Sequence, residues 1–175
     1  GGDWSLPTPP AFTDAEVAAV KTWVTAGGSL LLIADHMPFP GANQSLGAAF
    51  GFTFSNGFAQ HPDANGGRLV FQRANRSLAE HAVVRGRGPT DAIDAVATFT
   101  GSAFRIPPDA TSLFILPAGS VSLEPKVAWK FDESTPKTDV GGWSQGAVAK
   151  VGRGRVAIFG EAAMFEIAPA VGLSS

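Results

Sequence analysis

Asp35 and His36 stand side by side directly after an apolar run, Leu30-Leu31-Leu32-Ile33-Ala34. An imidazole held by a carboxylate is a general-base pair. A second acid, Glu161, follows another apolar run, Val156-Ala157-Ile158-Phe159, after Gly160. Apolar runs without alternation are what a strand buried on both faces of a parallel sheet carries. In open α/β sheets, ligands and chemistry collect beyond the carboxyl ends of the strands. Both strand ends are expected at one edge of one sheet, so Asp35, His36 and Glu161 form a candidate acid–base site. The same nitrogen and oxygen donors leave a divalent metal open as a cofactor. The plainer assignment has Asp35 and Glu161 capping the segments that follow them, with His36 hydrogen-bonded to backbone.

Two serines are placed to serve as a nucleophile. Ser45 lies just after the loop Met37-Pro38-Phe39-Pro40-Gly41-Ala42 and could approach His36. Ser102, in Thr100-Gly101-Ser102-Ala103-Phe104, follows another strand end. Neither sits in a G-x-S-x-G elbow, so helix start and loop are competing roles for them. The chain has no Cys, which excludes disulfides, zinc–thiolate sites and a thiol nucleophile. His61 lies in a polar loop and His81 precedes an apolar pair, where a structural role is expected for each. Phe50, Phe52, Phe54 and Phe58 are close enough in sequence to line a pocket, with core packing as the default. The Gly-Arg turns at 85–88 and 152–155 lack the strand–turn–helix setting of a phosphate loop and read as solvated turns.

The elements that would hold these residues follow from local patterning. Residues 1–12, with Pro7, Pro9 and Pro10, form an extended lead-in. Thr13 and Glu16 form a capping box, Phe12 and Val17 a hydrophobic staple, and Val17, Val20 and Val24 one apolar face, with Trp23 beside it. Gly27 or Gly28 supplies the stop, which predicts a helix over 13–26. A strand over 29–35 follows, then a stiff loop, then a short helix over 44–50 with Asn43 as cap and Gly51 as stop.

Residues 51–67 read as irregular, with one edge strand at Phe52–Phe54. Strands are expected at 68–72, 95–100 and 112–116, a helical turn near Ser77–His81, and a strand or loop at Ala82–Arg85. Residues 117–142 read as a surface excursion around a strand near Val127–Phe131. Two strands, 145–151 and 155–159, close as a hairpin across Gly152-Arg153-Gly154, and a helix from Ala162 to about Ile167 follows.

Composition limits the function classes. With 45% hydrophobic and 16% charged residues, the 175-residue chain is long and apolar enough for one domain with a real core. A net charge of −2 gives no electrostatic case for nucleic acid or an anionic membrane. No apolar run approaches the roughly 20 residues that span a bilayer. No signal-peptide pattern stands in the sequence, and both the bacterial cytoplasm and export remain open.

Three segments together resemble the class I glutamine amidotransferase-like superfamily, in its non-amidotransferase branches (ThuA-like proteins and DUF4350-type domains). They are Phe12 to Ile33 with its Gly27-Gly28-Ser29 junction, His81-Ala82-Val83-Val84-Arg85-Gly86, and Gly152-Arg153-Gly154-Arg155-Val156 through Gly160-Glu161. In true amidotransferases the opening strand leads to a nucleophile elbow with a catalytic Cys. Ala34-Asp35-His36 stands there instead, so the resemblance implies fold and not glutaminase activity. It implies an α/β class: a mostly parallel, flavodoxin-like three-layer sandwich with a C-terminal β-hairpin. It also implies a first β-α-β unit before residue 13, supplied by a preceding segment of a longer protein or by a second chain. The expectation over 1–175 is one such domain. It is either a hydrolase of a small ester, amide or sugar-type substrate, with Asp35, His36, Glu161 and Ser45 as catalytic candidates, or a non-catalytic ligand-binding or scaffolding domain.

Overall fold

The computed structural model describes residues 4–165. Helix α1 (Asp14–Thr25) starts as its capping box requires. The Glu16 amide donates to Thr13 Oγ1 at 3.3 Å, and the Thr13 amide donates to Glu16 Oε2 at 2.8 Å. Two otherwise orphaned helix-end donors are thereby satisfied. At the other end Gly27, at φ +123°, reverses the chain, and the amides of Gly27 and Gly28 donate to the Val24 and Trp23 carbonyls.

The chain then enters β1 (Ser29–Ile33), which pairs in parallel with β11 (Gly154–Phe159), Leu31 opposite Ala157. Strand β11 turns back at Gly152 onto β10 (Ser144–Val151) as an antiparallel hairpin. On its far side β10 meets β7 (Thr111–Ile115) and β6 (Phe104–Arg105), and β6 meets β2 (Thr53–Phe54), all antiparallel. These six strands form one sheet that curls into a half-barrel. A three-stranded antiparallel sheet joins β3 (Phe58–Gln60), β8 (Val121–Leu123) and β9 (Lys137–Asp139). A two-stranded one joins β4 (Arg68–Gln72) and β5 (Ala95–Phe99).

The six-stranded sheet has a different cover on each face because side chains alternate along a strand. On one face Leu32, Ala147, Ala149, Val156 and Ile158 pack with Val17, Val20 and Val24 of α1 and with Leu46 of α3 (Gln44–Ala49). On the other face Phe114 and Phe159 pack with Leu69 and Phe71 of β4. Among the described residues, no helix is long and apolar enough to cross a membrane.

This architecture overturns the mostly parallel, flavodoxin-like and amidotransferase-like sandwich. Of the eight strand pairings among the described residues, β1 with β11 is the single parallel one. The protein is strand-rich, built of mixed and antiparallel sheets. An apolar run reports burial and says nothing about the direction of the neighbouring strand, and a parallel pair needs a long crossover where an antiparallel pair needs a tight turn. Strand β1 also fails the expectation of burial on both faces. It lies at the sheet edge, and Leu31 is 56% exposed.

Smaller corrections have local causes. Ala82–Arg85 is a helical turn, α4, because His81 caps it: the Val83 amide donates to His81 Nδ1 at 3.2 Å. The expected strand near Val127–Phe131 is a turn, and the strands of that excursion are β8 and β9 on either side. The stiff loop after His36 contains one helical turn, α2 (Phe39–Ala42). After Glu161 the chain makes a three-residue 3-10 turn, Ala163–Phe165, and the rest of the expected helix to Ile167 lies outside the described residues.

Candidate functional site

The ends of β1 and β11 do lie at one edge of the sheet, as their register requires. The Ala34 amide donates to the Phe159 carbonyl at 2.8 Å, extending the ladder to the threshold of Asp35 and Glu161. Ser102 closes this edge. Its hydroxyl donates to the Ala34 carbonyl at 2.6 Å and its amide to the Gly160 carbonyl at 2.6 Å. Gly101, at φ +77°, must be glycine, since a Cβ there would press on the Gly160 carbonyl and the Glu161 side chain.

The candidate acid–base residues are each committed to local backbone. Asp35 Oδ1 accepts the His36 amide at 2.6 Å, and among the described residues no hydrogen bond or ion pair joins the Asp35 carboxylate to the His36 ring. His36 Nδ1 lies 2.8 Å from the Met37 carbonyl. A carbonyl only accepts, so Nδ1 carries the proton in that bond. Glu161, 1% exposed, accepts the Ala163 amide at 2.7 Å and the Met164 amide at 3.0 Å, which caps the 3-10 turn. Among the described residues there is no group of three or more His, Asp or Glu placed to hold a metal ion.

The remaining candidates separate. Ser45 Oγ is buried in the first turn of α3 with no hydrogen-bond partner among the described residues, so it is not bonded to His36. Ser102 is fully buried and serves the strand ends. His61 Nε2 lies 3.1 Å from the Ala118 carbonyl, and its Nδ1 accepts the Asp63 amide, which ties this loop down. Phe50, Phe52 and Phe54 pack in the core under α3.

What gathers at His36 is a set of aromatic rings. Its imidazole stacks on Phe58 with centroids 4.9 Å apart and planes 12° apart. Trp129 meets the imidazole edge-on at 4.6 Å and Phe58 at 4.5 Å. Phe131 meets Phe58 at 5.1 Å and Trp129 at 6.4 Å. On the other side Phe39 lies 5.9 Å from His36 and 5.7 Å from Trp4. Phe58 is buried as the base of the group. Trp4, Phe39, Trp129 and Phe131 are 47%, 41%, 53% and 40% exposed, so a row of large apolar rings faces solvent.

Backbone pairing assembles this row from distant parts of the chain. The lead-in runs beside residues 126–128: the Leu6 amide donates to the Lys126 carbonyl and the Ala128 amide to the Trp4 carbonyl, both at 2.8 Å. Trp129 itself sits at φ +66°, a region that a bulky L-residue rarely enters. Beyond Phe131, Asp132 Oδ1 accepts the Ser134 hydroxyl at 2.7 Å and the Ser134 amide at 2.8 Å. Those bonds hold the Asp132 carboxyl below its ordinary range and stiffen the turn. Trp129 and Phe131 escape a reading of the sequence, since they fall within the expected strand and no spacing links them to His36.

A further buried residue ties the edge together. Gln145, fully buried, accepts the Thr98 hydroxyl at 2.8 Å on Oε1 and donates from Nε2 to the Thr100 carbonyl at 2.6 Å. It thereby couples the β4–β5 hairpin to the main sheet.

No protein-family model and no curated protein matches this chain. Solved structures do resemble it. One, described as "mmIFT52 N-terminal domain", aligns with a TM-score of 0.56 at 15% identity. The alignment covers 88% of this chain and 62% of that one, so the chain spans less than two thirds of its neighbour's length. Another is the β-galactosidase from Rahnella sp. R3, with a TM-score of 0.44 at 12% identity, covering 85% of this chain and 18% of that one. At these identities the first likeness shows the fold alone.

Proposed function

We propose that this domain is a non-catalytic binding or scaffolding module whose contact surface is the aromatic row around His36. The observation that carries this reading is Trp129. Its ring is half exposed, rests edge-on against His36, and is held there by a backbone conformation that is unfavourable for tryptophan. Strained residues persist where the surrounding structure over-determines them, and they cluster at functional sites. Contiguous exposed apolar rings mark interaction sites, and tryptophan is enriched among the residues that dominate binding energy. The chemistry favours a protein partner that inserts apolar or aromatic side chains between the rings.

The hydrolase reading is the rival that the experiment must separate from this one. The carboxylates of Asp35 and Glu161 are engaged by amides, and Ser45 is not bonded to His36. The deciding experiment selects displayed peptides on the wild-type domain, with counter-selection on Trp129→Ala. A panel of chromogenic ester, amide and glycoside substrates is run in parallel on wild type and His36→Ala. Peptides that require Trp129, with no turnover on the panel, are the expected result. Turnover that disappears in His36→Ala overturns the proposal in favour of a hydrolase.

A further inference from the structure

The second notable surface lies toward the amino-terminal end of β1, whereas His36 follows its carboxyl end, and it is independent of the aromatic row. At the amino-terminal end of β1 and β11, the face opposite α1 carries a groove of about 830 Å³. Its floor is a row in register across three strands, Leu31 of β1, Ala157 of β11 and Val148 of β10. Val83 of α4, 54% exposed, forms part of its wall. The β4–β5 hairpin covers the same face farther along, over Phe114 and Phe159, and stops short of this end.

The rim is basic in an unfavourable way. Lys150 and Arg155 are directly opposite each other in the antiparallel β10–β11 pair, and both are exposed. Like charges in opposed positions of an antiparallel pair are destabilising. Among the described residues neither makes an ion pair, and the neighbouring Arg153 makes none either. Asp109 is the single carboxylate that lines the groove. A chain of net charge −2 thus concentrates unpaired cations beside an open apolar floor.

We infer that this groove is the docking site for an amphipathic helix of a partner protein, apolar on one face and acidic along one flank. Side chains stand out from the faces of a sheet while its hydrogen-bonding groups lie along its plane, so an occupant seated on this floor meets side chains, and the free backbone edge of β1 lies to one side of it. An occupant must therefore satisfy its own backbone hydrogen bonds, which a helix does internally. Its apolar stripe covers Leu31, Ala157 and Val148, and its acidic flank neutralises the Lys150–Arg155 pair.

The probe is a synthetic helical peptide with a leucine stripe and a glutamate flank, compared with the same peptide carrying lysine in place of glutamate. Binding is followed by amide chemical shifts of the whole chain and by titration. Shifts centred on Leu31, Val148 and Ala157 are expected for the acidic peptide alone. Arg155→Glu weakens it by about tenfold, the scale of one hydrogen bond to a charged group. Lys21→Glu, on the helix across the sheet, leaves it unchanged. Equal binding of both peptides, shifts elsewhere, or no shifts would overturn the inference. Concentration-dependent self-association abolished by Leu31→Glu would place a second copy on this face and overturn it as well.

Discussion

The Ser102 hydroxyl donates to the Ala34 carbonyl at 2.6 Å, although 68 residues separate them, and with it one buried side chain fastens the carboxyl end of β1. The Ser102 amide does the same for the residue after β11 through the Gly160 carbonyl. A serine that in sequence terms could have been a nucleophile is thus a structural clasp. Its oxygen is fully buried and its proton is committed to a backbone acceptor.

Ser102→Ala strips the Ala34 carbonyl of its side-chain donor in a dry site. Leaving a buried polar group unsatisfied costs about 1–3 kcal/mol. Urea unfolding should report a loss in that range. A variant as stable as wild type would mean that the clasp contributes nothing.

Glu161→Ala removes the acceptor for two amides at the start of the 3-10 turn. A loss of about 1–2 kcal/mol is expected, as for a lost cap. Glu161→Gln keeps one oxygen acceptor and should recover part of it. Equal losses in the two variants would show that the carboxylate's charge, and not its acceptor geometry, is what matters.

Gln145→Leu leaves the Thr98 hydroxyl and the Thr100 carbonyl without this partner in the interior. Destabilisation of about 2–4 kcal/mol is expected from two such groups. Hydrogen exchange should accelerate first in β4 and β5, since Gln145 couples that hairpin to the main sheet. Uniform acceleration over the whole domain would contradict that coupling.

Trp129→Gly should separate binding from folding. It relieves about 1–2 kcal/mol of left-handed backbone strain while it removes ring contacts with His36 and Phe58 of similar size. The midpoint of thermal unfolding should therefore move little, while selected peptides lose their binding. A large fall in the midpoint would make Trp129 a core residue instead.

The capping box predicts an acid-side pH dependence. The Thr13 amide, and then the Thr13 hydroxyl, hold the Glu16 carboxyl below its ordinary range. The folded pKa is thus lower than the unfolded one, so this contribution is complete above the unfolded pKa. It is lost as pH falls through the folded value. Glu16→Gln should flatten that part of the stability–pH curve, measured by unfolding at a series of acidic pH values. An unchanged slope would remove Glu16 from the account.

Elements that depend on neighbours in the chain were legible from the sequence. The Thr13–Glu16 box and the valine spacing determined α1, and the two strands flanking Gly152 determined the β10–β11 hairpin. Both rest on contacts between residues a few positions apart, where residue type and spacing carry the information. The meeting of the β1 and β11 ends at one sheet edge was legible too, although it spans most of the chain. What lies around those ends was decided by tertiary structure alone. The same apolar run serves a strand buried on both faces or an edge strand such as β1, because hydrophobicity reports that a residue is apolar and not which surface reaches it. That the Asp35 and Glu161 carboxylates accept backbone amides became visible only with the positions of the amides of His36, Ala163 and Met164. Trp4, Phe39, Phe58, Trp129 and Phe131 become one surface through long-range matches, among them β3 with β8 and residues 4–6 with 126–128, which leave no periodic signature in the sequence.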